Sequence, residues 1–313
     1  MELPLDLVKT LAAVVSAGSL DAAADSLHIT PSAVSQRLKT LETRLGRVLL
    51  VRTKPVRPTE AGQTVVRLAR QLEAVEHDTL AELGLETEAP QVPLAVNADS
   101  LATWFLPALA PLAASGIGFE LHRDDQDFTA GLLETGTVSA AVTSQATPVA
   151  GCSVRSLGAM RYLPVAAPAI AARWFERGQP GYSAAPRIDF DRRDALQTQF
   201  LEHRRIDPST TPRHQVPASH DFAVACELGF GWALVPEHQS VTGIGDGSLV
   251  RLPGDPVDVP LFWQRWKLHS PLLETIEDAV VAAARDQLHQ SRREPSRRPA
   301  AVDSPCRSGA GQA

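Results

Sequence analysis

The sequence predicts an α/β chain in three parts: a small helical module closed by a basic hairpin, one long helix, and a two-lobed domain of alternating strands and helices. Three observations carry that reading. Helix caps and turn residues recur at short intervals through the first 57 residues, a proline-free helical stretch follows from residue 59, and strand-like apolar runs alternate with helical patterns beyond residue 90. With 313 residues, 44% hydrophobic and 21% charged, the chain is long enough for two or three packed cores and unlike a disordered one.

In the first module Leu7, Leu11 and Val14 recur at helical spacing, and Gly18 offers a left-handed stop. Ser19 supplies a cap for a second helix with an inward face of Leu20, Ala23, Ala24 and Leu27. After the turn His28-Ile29, Thr30 caps a third helix with Pro31 at its first position, where the missing N–H costs nothing. Val34, Leu38, Leu41 and Leu45 form the buried stripe of that helix, which leaves Ser32, Ser35, Gln36 and Lys39 facing solvent. Gly46 ends it. Val48 to Val51 then reads as a strand leading through Arg52-Thr53-Lys54-Pro55 into a second short strand, so residues 1–58 have the pattern of a winged helix-turn-helix.

Charge agrees with that pattern. The whole chain carries a net charge of -6, yet between His28 and Arg57 the basic residues are Arg37, Lys39, Arg44, Arg47, Arg52, Lys54 and Arg57, against the single acid Glu42. Such a patch suits double-stranded DNA. Gln36 and Arg37 have the two-pronged chemistry that reads adenine and guanine, and Ser32 and Ser35 suit less selective contacts. Thr30, Lys39, Arg52 and Lys54 suit phosphates. The alternative, a plain solvated helix face, leaves the coincidence of caps, basic cluster and wing unexplained.

From the capping Thr59 to about Leu83 the chain is helix-forming, and Val65, Leu68, Leu72 and Val75 step by three and four. A second copy of the same helix would bury that seam, so residues 59–86 are expected to dimerise; packing on the chain's own domain is the alternative. Residues 87–93 read as a hinge. Strands at Val92–Val96, Phe119–His122 and Ser139–Thr143 alternate with helices at Leu101–Ala114 and Phe128–Thr135. A second set includes Tyr162–Ala166, Arg187–Phe190, Asp221–Leu228 and Trp232–Val235, and a late strand Leu261–Trp266 with helix Leu272–Leu288 returns to the first lobe. Residues 94–290 thus form two lobes on parallel sheets, lobe 1 from about 94–160 and 261–290 and lobe 2 from about 161–260. The arginine-, serine- and proline-rich segment 291–313 is expected to be disordered.

The run from Leu20 to Gly46, with Ser-Ala-Val-Ser-Gln-Arg-Leu-Lys at its centre, and the run Arg57-Pro-Thr-Glu-Ala-Gly62 resemble the N-terminal signature of LysR-type transcriptional regulators. Leu94 to Trp104, Asp124-Asp-Gln-Asp127 and Met160 to Ala166 are similar to the ArgP/LysG branch of that family. The resemblance covers nearly the whole chain. It implies a periplasmic-binding-protein-like effector domain, lysine or arginine as effector, and control of an amino-acid exporter or related metabolic gene. Promoter DNA and RNA polymerase are the implied partners of a homodimer or dimer of dimers.

An amino-acid effector needs donors for its carboxylate and acceptors for its cations. Asn97, Asp99 and Ser100 stand at a strand-to-helix junction that offers both, although Asp99 or Ser100 could equally serve as a helix cap. Asp124, Asp125 and Asp127 follow a strand and suit a second cation, with a solvated acidic turn as the alternative; Thr143 and Ser144 end another strand. In lobe 2 the loop Ser219-His220-Asp221 can close over a ligand. His220 stands where the resemblance leads one to expect glutamate, and Asp221 is the adjacent substitute.

No HxH, HExxH, GxSxG or phosphate-binding loop is present, and Gly243-Ile-Gly245-Asp-Gly247 reads as a loop, so neither an enzyme nor a cofactor is expected. Cys152, Cys226 and Cys306 form neither an even disulfide set nor a metal pair. A redox-sensing variant of the regulator is the alternative they raise, but Cys152 and Cys226 sit among small or apolar neighbours and read as inert. With no membrane-length apolar run and no leader-like start, a cytoplasmic location without membrane partners is expected.

Overall fold

The computed structural model describes residues 3–51, 53–85, 89–123, 129–176 and 181–290. The first module contains α1 (Leu5–Ala17), α2 (Leu20–Ser26), α3 (Pro31–Leu45), β1 (Leu50–Val51) and β2 (Arg57–Pro58), and α4 (Glu60–Glu82) leads out of it. Its ends are chemically defined. Ser19 accepts from the Ala22 N–H, Thr30 from Ala33 and Thr59 from Gly62, while α1 and α3 stop on Gly18 and Gly46 at φ 70° and 62°. Val8, Leu11, Val14, Ala23, Val34 and Leu41 are wholly buried where the three helices meet.

The hairpin strands are shorter than the apolar run Val48–Val51 suggests. Leu49 donates its N–H to Glu42 Oε1 at 2.8 Å and accepts from the Thr59 N–H at 2.9 Å, so its backbone groups tie α3 to α4 instead of joining the ladder. That tie brings α4 close: a Cβ on Gly62 would lie 2.0 Å from the Leu49 carbonyl oxygen. The α4 face carrying Val65, Val66 and Ala69 is buried in the core of its own module, so Val65 does not belong to an open seam. Leu68 and Leu72 are half-buried, and Val75, Leu80 and Leu83 remain exposed.

The second part runs β3 (Gln91–Val96), α5 (Ala98–Ser100), a π-helical turn at Leu101–Phe105, α6 (Leu106–Ala114), β4 (Gly118–Arg123), α7 (Thr129–Glu134), β5 (Ala140–Thr143) and β6 (Cys152–Ala166). There follow α8 (Pro168–Trp174), β7 (Arg187–Asp189), α9 (Leu196–His203), β8 (Arg213–Gln215), α10 (Ser219–Glu227), β9 (Trp232–Pro236), α11 (Glu237–Asp246), β10 (Val250–Arg251), β11 (Val257–Trp266) and α12 (Pro271–Gln287). Among the described residues one sheet runs β4-β3-β5-β11-β6-β9-β7-β8, with β10 also on β6.

The sheet is mixed rather than parallel. β3 pairs in parallel with β4 and β5, and β7 with β8 and β9, as βα units require. Between these sets β6 and β11 run antiparallel along their whole paired length, from Cys152–Trp266 to Tyr162–Val257. Their register shifts at Leu261/Phe262, opposite Gly158 at φ 116°, a bulge that bends the strands where one lobe gives way to the other. β11 pairs with β5 as well as with β6, so the lobes share one sheet. The glycines at 243 and 245 lie inside α11, and only Gly247, at φ 85°, ends it. The reading of that cluster as a loop is therefore corrected: Gly243 is buried, and its missing side chain lets Leu249 pack against the helix.

Trp104, Phe105, Trp232 and Trp263 anchor the main core of this domain. No single helix among the described residues is long and apolar enough to cross a membrane.

Gly62→Ala is expected to cost about 1–3 kcal/mol, because its methyl group would meet a fixed backbone carbonyl. Urea unfolding monitored by circular dichroism checks this, and an unchanged midpoint contradicts it.

Candidate functional site

Two surfaces assemble the residues singled out above. On α3, Ser32, Ser35, Gln36 and Lys39 are exposed on one face, opposite the buried Val34, Leu38 and Leu41. Thr30 is exposed but engaged, since its hydroxyl oxygen caps Ala33 and lies 2.9 Å from Ser32 Oγ. Arg37, expected from its chemistry to read guanine, also makes a contact inside the module. It is half-buried and donates to Thr10 Oγ1 at 3.3 Å, and Thr10 in turn donates to the Asp6 carbonyl, so Arg37 braces α3 against α1. Lys54 is exposed in the hairpin, which is pinned to the end of α1 by the Val56 N–H on the Gly18 carbonyl at 2.9 Å. Arg52 lies outside the described residues. Arg44, Arg47 and Arg57 are exposed and extend the cationic surface.

The second surface is a cavity of about 170 Å³ between the lobes, with Asn97, Ala98, Asp99 and Arg123 on one side and Phe190, Asp191, Asp194, Gln197 and Phe222 among those on the other. Asp99 is its central feature. The Tyr162 hydroxyl donates to Asp99 Oδ2 at 2.7 Å and the Ser219 hydroxyl to Oδ1 at 2.6 Å, so lobe 1, the shared strand β6 and lobe 2 meet on one carboxylate. Burial pushes the Asp99 carboxyl above the usual carboxylate range, and the bonds from Ser219 and Tyr162 work against that shift. Among the described residues, the Asn97 Oδ1 atom is buried without a hydrogen-bond partner. Ser100 Oγ, wholly buried beneath the junction, has none either.

Neither Asp99 nor Ser100 caps the helix that starts at Ala98. Asn97 holds the cap position, and its side chain makes no capping bond. Arg123 donates to the Pro217 carbonyl at 3.3 Å, a second link across the cleft. Three carboxylates, Asp99, Asp191 and Asp194, line the cavity beside two guanidinium groups, Arg123 and Arg193.

Residues 5–63 match the family described as bacterial regulatory helix-turn-helix protein, lysR family, and residues 86–285 match the LysR substrate binding domain. The HTH-type transcriptional regulator LysG of Mycobacterium tuberculosis is 44% identical over 278 residues, covering 88% of this chain and 91% of that protein. The lysine export transcriptional regulatory protein LysG of Corynebacterium glutamicum is 40% identical over 277 residues, covering 88% and 96%. This chain belongs to the LysR family of transcriptional regulators.

The solved structures agree with the assignment. ArgP from Mycobacterium tuberculosis superposes on this regulator with a TM-score of 0.85 at 42% identity, covering 93% of this chain and 100% of that one. Full-length LysG from Corynebacterium glutamicum with bound effector Arg gives 0.78 at 37% identity, covering 92% and 100%.

For the effector domain of such a regulator, the sequence pointed to some residues that the cleft gathers and others that it does not. Asn97 and Asp99 line the cavity, and Ser219 reaches Asp99, whereas Asp221 and His220 are exposed beyond its lining. α10 begins at Ser219, so Ser219 turns toward lobe 1 while the next two residues turn to solvent. Thr143 is buried and accepts from the Gln145 N–H, and Ser144 is half-buried; neither lines the cavity. Asp124, Asp125 and Asp127 lie outside the described residues. Tyr162, Arg123, Asp191 and Asp194 were missed. The run Asp189 to Asp194 follows a strand just as Asp124 to Asp127 does, and that parallel was the available signal.

Among the described residues no group of three or more His, Cys, Asp or Glu could hold a metal ion. Burial pushes the Cys152 thiol up to about 11 and the Cys226 thiol up to about 12, which suppresses the reactive thiolate at neutral pH. In a Cys306→Ser background, both thiols are therefore expected to resist Ellman's reagent until the protein is denatured. Rapid labelling of either in the native protein contradicts this.

Proposed function

We propose that this regulator binds promoter DNA as a homodimer or dimer of dimers and changes RNA polymerase recruitment when arginine or lysine fills the interlobe cleft. Its place is the cytoplasm, and the regulated gene is an amino-acid exporter or a related metabolic gene. The observation that carries the effector reading is Asp99: a carboxylate set between the lobes, bonded from both sides, in a cavity with more acids than bases. LysG from Corynebacterium glutamicum, solved with bound effector Arg, supports the same ligand class.

Asp99 would take the α-ammonium or side-chain cation of the effector, with the orphaned Asn97 Oδ1 as a further acceptor. Asp191 and Asp194 accept backbone N–H bonds from Arg193, Asp194, Phe190 and Leu196, which fixes them along the lobe 2 wall as acceptors for a second cation. Arg123 suits the α-carboxylate. Because the effector would touch both lobes, its affinity would differ between open and closed forms, and that difference is what shifts the equilibrium. On DNA, Gln36, Ser32 and Ser35 would face base edges in the major groove, with Lys39, Lys54 and Thr30 on phosphates and Arg52 expected beside them. Arg37 would act mainly by holding α3 at its angle.

Calorimetry with arginine and lysine tests the effector; no heat with either removes it. Asp99→Asn should weaken binding by about ten-fold or more, the value of a hydrogen bond to a charged group. Since a cation prefers ionised Asp99 and burial raises the pKa of that group, affinity should rise as pH rises through its titration and fall as pH falls through it. A flat profile over that range contradicts the role of Asp99. On a promoter fragment, Gln36→Ala should lose about 1–3 kcal/mol of discrimination at one base pair, whereas Lys39→Ala should weaken all sequences alike and lower the salt slope by about one. Unchanged selectivity in Gln36→Ala would count against the α3 face as the reader.

A further inference from the structure

One guanidinium joins three parts of the molecule. Arg70, on α4, donates from Nη1 to the Gly136 carbonyl at 2.7 Å and from Nη2 to Ser16 Oγ at 3.3 Å. Gly136 belongs to the turn after α7 in lobe 1, and Ser16 to the last turn of α1 in the DNA-reading module. One helical turn earlier on α4, Arg67 Nη1 donates to the Ala150 carbonyl at 3.3 Å, in the loop between β5 and β6. Gly136 is there for two reasons: its φ is 72°, and a Cβ would lie 2.6 Å from the Arg67 Cα. Lobe 1 therefore rests on α4 through a glycine turn that no larger residue allows.

Both ends of this contact lead to a functional surface. On the lobe 1 side, Thr129 Oγ1 donates to the Val142 carbonyl and fixes the start of α7 to β5. β3 lies between β5 and β4, whose last residue, Arg123, lines the cleft and bonds to Pro217 of lobe 2. On the other side, Ser16 stands just before Gly18, whose carbonyl holds the Val56 N–H of the wing. Arg70 is partly buried, and the planar fork of a guanidinium reaches two acceptors in fixed geometry, which a lysine ammonium on its flexible stem does not reproduce.

We infer that Arg70 is a positioning residue for regulation: through Gly136 and Ser16 it sets the angle of the DNA-reading module against lobe 1, so that occupancy of the cleft alters DNA binding. This rests on the cleft being the effector site. It goes beyond that reading by naming the contact through which the cleft acts.

The test uses the full-length protein with Arg70→Gln and Arg70→Lys. Arginine affinity is measured by calorimetry, and promoter affinity by fluorescence anisotropy with and without saturating arginine. The ratio of the two promoter affinities in the unmodified protein is expected within the roughly 5- to 150-fold span of allosteric couplings. Both variants should bind arginine with unaltered affinity while that ratio falls toward one. A ratio preserved in both variants overturns the proposal, and so does loss of arginine binding in a folded variant, since Arg70 would then support the cleft itself.

If the unmodified protein binds neither arginine nor lysine, the effector reading fails separately, and the contact is judged by hydrogen exchange alone. Arg70→Gln, or Arg70→Lys should the first variant not fold, is then expected to speed exchange at Gly136, Thr137 and Gly18. Unchanged exchange at those amides overturns the contact as a constraint.

Discussion

The carboxylate of Asp99 is held by one hydroxyl from the strand shared by the lobes and another from lobe 2, at 2.7 and 2.6 Å. A charge removed from water needs several polar partners or a counter-ion to be tolerated. Two neutral donors meet part of that need, and burial still leaves the group harder to ionise than an exposed aspartate. The proposed effector cation would meet that remaining need, and it would be registered because the same oxygens hold the lobes together. Placement of Asn97, Tyr162, Arg123 and Ser219 around it follows from the sheet: the end of β3 delivers Asn97, β6 delivers Tyr162, the end of β4 delivers Arg123, and the start of α10 delivers Ser219.

The shared sheet also decides what the lobes can do. Because β6 and β11 run through both, the lobes are joined by two paired strands, bent at the Gly158 bulge, rather than by a loose linker. Bistable motion about a fixed pair of strands can be biased by a ligand with modest differential contacts. The DNA-reading module is built in the opposite way, as a small rigid unit. Glu42 on Leu49, Thr59 on Val48 and Leu49, and Gly62 against Leu49 lock α3, the hairpin and α4 into one body, so a shift of α4 carries the reading face with it.

Local signals in the sequence were read accurately where the structure is local. Ser19, Thr30 and Thr59 cap their helices, Gly18 and Gly46 end theirs, and the stripe Val34, Leu38 and Leu41 is buried as its spacing required. Readings that depended on distant partners fared less well. The length of β6 was hidden because Val154 to Ser156 are exposed and lack apolar alternation, and the hand of its pairing is set by β11, some hundred residues away in the chain. Arg37 has the chemistry of a base reader, and only the position of Thr10 across the helix pair shows where it points. In the cleft, the strand-to-helix junction singled out Asn97 and Asp99, which line the cavity. Asp221 and Thr143 stand outside the cavity lining, because the rotation of α10 and the depth of β5 are tertiary facts, invisible to residue type and spacing.

Hydrogen exchange on the full-length protein, with and without arginine, measures most directly whether one cation binds between the lobes at Asp99. Slowed exchange on arginine addition at both the Asn97–Phe105 segment of lobe 1 and the start of α10 in lobe 2 is the predicted result. Protection confined to a single lobe, or to a surface away from Asp99, would contradict the account.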